Sequence, residues 1–173
     1  MKTLILFRSY YGNTKQVADV IAQQMKSSGH EVDIRDVRVG LPDLDDIDAI
    51  VLGAPTRRGR VTRKALNVLS TLRQRGYGDK PIAVFDTISF SPPTPLGSLL
   101  LVSRSREDRV NAKKWLEPGA IGIMMKKARE HKLNLFPELL RCEVIDTRGP
   151  LAENATREAV AFANAFILFA QKR

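Results

Sequence analysis

The chain has 173 residues, 43% of them hydrophobic and 27% charged, which suits one soluble globular domain (1–173) with a sizeable core. Lys plus Arg total 28 against 19 acidic residues, giving +9 and a field that favours anionic partners, unless the excess is only an ordinary solvated basic surface. One cysteine excludes an internal disulfide, and no apolar run approaches the roughly 20 residues of a membrane-spanning helix, so the expectation is a protein of the reducing cytoplasm without a signal peptide.

In chain order, Leu4 to Phe7 is a continuous apolar run of the kind buried on both faces of a parallel sheet. The polar turn Ser9-Tyr10-Tyr11-Gly12-Asn13-Thr14 follows it and opens a helix over about 13–28, with Val17, Ala18, Ile21, Ala22 and Met25 on one face and Gly29 as its stop. Glu31 to Arg35 alternates apolar and polar, as an edge strand does, and Asp43, Asp45, Asp46 and Asp48 cluster near a turn that capping explains. Ala49 to Leu52 is a second buried strand, followed by Gly53-Ala54-Pro55-Thr56-Arg57-Arg58-Gly59. Ala65, Val68, Leu69 and Leu72 mark a helix ending near Gly76. Ile82 to Phe85 is the fourth strand, and Asp86-Thr87-Ile88-Ser89-Phe90 begins an irregular connection of about thirty residues, 87–117. A third helix over about 119–132, a weakly alternating strand Cys142 to Ile145, and a last helix over about 155–170 complete the pattern.

Strands alternating with helices predict βαβ units with right-handed crossovers. The two alternating strands belong at the edges, which gives the order 2-1-3-4-5. The expected architecture is a three-layer α/β sandwich on a five-stranded parallel sheet, with a long insertion after strand 4.

The turn from Ser9 to Thr14 carries the clearest chemistry. A helix N-terminus presents unpaired N–H groups and the positive end of the helix dipole, so short hydroxyl and amide side chains with one glycine can cage a phosphate there. An ordinary helix cap at Asn13 or Thr14 is the plain alternative. The stretch from Ile5 to Ile21 resembles the flavodoxin signature: aliphatic and aromatic strand residues, a hydroxyl residue, Gly before x-Thr, then Ala and an aliphatic at helical spacing. Segment 52–59 lies where flavodoxins place a second flavin loop, and Asp146-Thr147-Arg148-Gly149-Pro150-Leu151 resembles a turn of flavodoxin-like proteins. A looser similarity is to flavodoxin-like protoporphyrinogen oxidases.

That resemblance implies a flavodoxin-like fold binding flavin mononucleotide (FMN) and transferring electrons through it, as a carrier or as an FMN-dependent oxidoreductase. It places the phosphate at Ser9, Tyr10, Tyr11, Gly12, Asn13 and Thr14. The ring would lie near Pro55, Thr56, Arg57, Arg58 and Gly59 and near Asp86, Thr87, Ser89 and Phe90. Soluble flavodoxin carriers tend to be acidic and sandwich the ring between aromatic side chains, whereas this chain is basic and offers Arg57 and Arg58. Either arginine near the ring would favour its anionic reduced form and raise the potential. The run Arg57, Arg58, Arg60, Arg63 and Lys64 suits an acidic redox partner, and without a glycine-rich fingerprint no stable nicotinamide site is expected.

A flavodoxin fold that has lost its flavin and binds phosphate or an acidic partner is the second reading. Nucleic-acid binding ranks below it, because no helix-turn-helix, zinc finger or aromatic-basic sheet motif is present. Ser98 to Val102, followed by Arg104, Arg106 and Arg109, suits a lid or a homodimer contact, and less well a membrane surface. His30, His131 and Cys142 read as structural, with no metal-ligand spacing.

Overall fold

The computed structural model describes residues 1–89, 119–146 and 148–172. The elements are β1 (Lys2–Phe7), α1 (Asn13–Ser27), β2 (Glu31–Asp36) with a 3-10 turn at Val37–Val39, β3 (Ala49–Thr56), α2 (Arg63–Gln74), β4 (Ile82–Ser89), α3 (Gly119–Glu130), β5 (Leu140–Val144) and α4 (Ala155–Gln171). All neighbouring strands pair in parallel, in the order β2-β1-β3-β4-β5.

Side chains two apart on a strand share a face, so each central strand feeds two cores. Ile5, Phe7, Val51, Ala83 and Phe85 point to the layer built by α1 and α4. Leu4, Leu6, Ile50, Leu52 and Val84 point to the layer built by α2 and α3. The central runs are therefore apolar throughout, while β2 alternates exposed and half-buried residues, as an edge strand must. A Cβ on Gly53 would lie 2.0 Å from the Phe85 ring, so the missing side chain is the space the buried phenyl fills.

Three expected strand boundaries move. β3 runs to Thr56 and β4 to Ser89, so Asp86, Thr87 and Ser89 are strand residues rather than the start of the insertion. Pairing continues past the apolar runs, from Gly53↔Phe85 to Thr56↔Ile88 and Ser89↔Val144. Hydropathy marks the depth of the core, whereas backbone ladders extend as far as polar side chains find partners. Here Thr56, Asp86 and Thr87 are all buried and hydrogen-bonded. β5 also starts at Leu140, earlier than the alternation implied. Phe90 and the segment 98–109 lie outside the described residues. Among the described residues no helix is long and apolar enough to cross a membrane.

Candidate functional site

The carboxyl ends of β1, β3 and β4 meet the start of α1 at one sheet edge, where open α/β sheets place their ligands. A pocket opens there, with about 420 Å³ of empty space partly open to solvent. Ser9, Tyr10, Tyr11, Asn13 and Thr14 form one wall. Pro55, Thr56 and Arg57 come from the end of β3, Thr87 and Ser89 from β4, and Val144 from β5.

The β1–α1 turn is shaped for close approach by a ligand. Gly12 has φ 94°, a left-handed conformation that suits glycine, and no atom lies within 4 Å of where its Cβ would be. The Ser9 hydroxyl accepts the Gly12 N–H at 3.0 Å and so closes the turn. No side chain caps α1, and its first turn has no acidic residue. The helix thus presents its amide donors and positive dipole end toward the pocket. Thr14 is buried, and its hydroxyl meets that of Thr87 at 2.8 Å, tying the helix start to β4.

The aromatic residues of this turn are exposed and covered by guanidinium groups. Arg8 lies 4.1 Å and Arg57 4.4 Å from the Tyr10 ring centre, and Arg148 lies 6.0 Å from that of Tyr11. Asp36, at the end of β2, pairs with Arg38 at 2.9 Å and reaches Arg8, which covers Tyr10, at 3.8 Å. Burial alone would raise its pKa; hydrogen bonds from Arg38 and the charges of Arg38 and Arg8 outweigh that and hold the carboxyl below its ordinary value.

Beneath the pocket lies a second polar cluster. The fully buried Asp86 carboxylate accepts from the Thr56 hydroxyl at 2.7 Å, the Ile121 N–H at 3.1 Å and Arg141 at 3.0 and 3.2 Å. The Thr56 hydroxyl in turn accepts the Ala120 N–H at 2.6 Å. Asp86 therefore closes the start of α3 from inside the protein. It was expected to face the ligand; its strand position turns it into the interior instead.

The second loop is a tight hairpin. The N–H and C=O groups of Arg57 and Arg60 bond reciprocally at 3.0 and 2.9 Å, with Arg58 (φ 50°) and Gly59 (φ 71°) at the tip. This geometry separates the two arginines, since Arg57 lines the pocket whereas Arg58 and Gly59 do not.

Three contributors escaped sequence reasoning. Val144 reaches the pocket because β5 pairs in register with Ser89, and Arg141 falls in a residue pattern too short to mark a strand start. Arg8 sat inside the recognised stretch but carried no sign of stacking on Tyr10. Several other polar residues have structural partners. Asp43 and Asp45 accept the Tyr77 hydroxyl, and Asp48 accepts the Lys2 N–H. Cys142 is buried, and burial, followed by the charges of Glu158 and Asp86, pushes its thiol up to about 12, an unreactive state. Among the described residues no group of three or more His, Cys, Asp or Glu is placed to hold a metal ion.

Comparison with known proteins fits this geometry. A 60-residue segment is 38% identical to protoporphyrinogen IX dehydrogenase [quinone] of Escherichia coli (strain K12), covering 34% of this chain and 33% of that protein. Another, of 89 residues, is 30% identical to NAD(P)H dehydrogenase (quinone) of Methylocella silvestris, covering 39% and 45%. These matches span less than half the length of the curated relatives. In three dimensions, a flavodoxin from the domain Archaea superposes with TM-score 0.68 at 20% identity, covering 99% of this chain and 98% of that one. Oxidised flavodoxin 1 from Bacillus cereus gives 0.64 at 22%, covering 97% and 98%. A family model for the flavodoxin domain matches residues 4–137, and with strand order, pocket and turn in agreement, the chain belongs to that family.

Proposed function

We propose that the protein binds FMN at the carboxyl edge of its sheet, with the phosphate in the turn from Ser9 to Thr14, and serves redox chemistry through the bound flavin. The observation that carries this reading is the uncapped start of α1, free of acidic residues and folded over Gly12 against a pocket. A dianionic phosphate is the complement of such a donor set, and small side chains leave room for it. Bound FMN would supply the ring that accepts and releases electrons. The chain holds the phosphate by main-chain N–H groups of the first turn and side chains of Ser9, Asn13 and Thr14. Thr87 keeps Thr14 in place, and Arg57 lends positive charge to the pocket wall.

No side chain is required as nucleophile or general acid, because the protein supplies binding and electrostatics to the cofactor's own chemistry. The two curated relatives are both named as quinone-linked dehydrogenases, so a quinone is the first electron acceptor to assay. The binding test is a fluorescence titration of the purified chain with FMN and with riboflavin, which lacks the phosphate. FMN quenching at far lower concentration than riboflavin supports the phosphate anchor. Equal affinities, or no quenching by either, overturn it. In the latter case a rise in melting temperature with inorganic phosphate would favour a flavin-free phosphate-binding protein.

A further inference from the structure

We propose that the hairpin after β3 and the first turn of α2 form a docking surface for an acidic protein at the mouth of the pocket. Residues 57–64 hold five cations (Arg57, Arg58, Arg60, Arg63 and Lys64) and no acid, and all five are exposed. Some cations elsewhere meet carboxylates, such as Lys15 with Asp19, Arg38 with Asp36, Lys127 with Glu130 and Arg141 with Asp86. None of the five is ion-paired among the described residues.

Two of these charges sit where folding alone would not put them. Arg63 and Lys64 open α2, whose first turn has no acidic residue, and cations at the positive end of a helix dipole are unfavourable. The Arg57–Arg60 hairpin holds Arg58 outward at its tip with positive φ, another conformation that costs a non-glycine residue. Charge kept at the expense of local stability, contiguous and beside the cofactor pocket, is explained by a partner of opposite sign. A protein surface fits better than a nucleic acid. The patch is one compact hairpin and helix start rather than a track along a strand, and residues 57–64 themselves include no aromatic ring on which a base could stack.

This inference takes its location from the proposed FMN site, but the two fail separately. The experiment compares the native chain with the triple variant Arg60→Gln, Arg63→Gln, Lys64→Gln, all outside the pocket lining. Each is titrated with FMN by quenching, and with fluorescent poly-glutamate peptide and a DNA duplex by anisotropy at low and high salt. Expected are unchanged FMN affinity, a melting temperature no lower than native, and at least tenfold weaker peptide binding at low salt, with native binding to the peptide lost at high salt. Equal peptide binding by the two proteins, or DNA binding that the substitutions weaken more than peptide binding, overturns the proposal. Failure of FMN to bind either protein would instead overturn the cofactor reading, while the peptide titration still decides the docking surface.

Discussion

Two helix starts lie on the same sheet edge, at α1 and α3, and the protein treats them in opposite ways. At α3 the donors are filled from inside: Ile121 N–H bonds to Asp86, and Ala120 N–H to Thr56. At α1 the first turn has neither a capping side chain nor an acid. Both starts expose the same kind of backbone donor, and what differs is that only α3 receives an internal carboxylate. An internal carboxylate turns a helix start into a structural joint. Leaving the carboxylate out leaves the same geometry open to the phosphate proposed for it.

Removing the internal anion should have the largest effect. Asp86→Ala removes the carboxylate shared by Arg141, the Thr56 hydroxyl and the Ile121 N–H, and should cost about 3–5 kcal/mol in urea unfolding; a loss below about 1 kcal/mol would mean that Asp86 is not the joint. The reverse exchange sharpens the contrast. Asn13→Asp supplies α1 with its own carboxylate, which should stabilise the fold by about 0.3–1 kcal/mol yet weaken FMN binding by about tenfold or more, because like charges then share the turn. Stability and affinity moving in the same direction would contradict the comparison.

Smaller effects test the walls around the open start. The third helix start on this edge, α2, is capped by Thr62, whose hydroxyl accepts the Ala65 N–H at 3.4 Å, so Thr62→Ala should cost about 0.5–1 kcal/mol in the same unfolding assay and leave FMN binding unchanged. With FMN bound, Arg57→Gln should lower the reduction potential by tens of millivolts in a spectroelectrochemical titration, and Arg58→Gln by less, because only Arg57 lines the pocket. Asp36 should show a pH signature. Its folded pKa is depressed, so its contribution is full above the unfolded carboxylate value, about pH 4, and is lost as pH falls through the lower folded value. Asp36→Asn should flatten that acid limb of the stability profile, and an unchanged limb would remove Asp36 from the account.

Much of this was legible in the residues. Apolar runs at Leu4 to Phe7, Ala49 to Leu52 and Ile82 to Phe85, with alternation at Glu31 to Arg35, were enough for the strand order, because burial on two faces and on one leave different patterns. The position of the turn from Ser9 to Thr14 could be read because helix-start signals are local: glycine and small polar side chains are consecutive in the chain. The roles of Asp86 and Thr87 could not be. Their partners Thr56, Arg141 and Thr14 are 30, 55 and 73 positions away, and only the register of the parallel strands brings them together.

The sequence by itself determined the layered α/β architecture, the flavodoxin resemblance and the place of the glycine turn that opens α1. Tertiary structure alone decided that Asp86 faces inward rather than toward a ligand, that Arg57 and not Arg58 borders the pocket, and that Arg8 covers Tyr10. Hydrophobic period and turn chemistry are properties of neighbouring residues. The direction a polar side chain takes is set by partners that arrive from distant strands, and those are fixed only when the sheet closes its register.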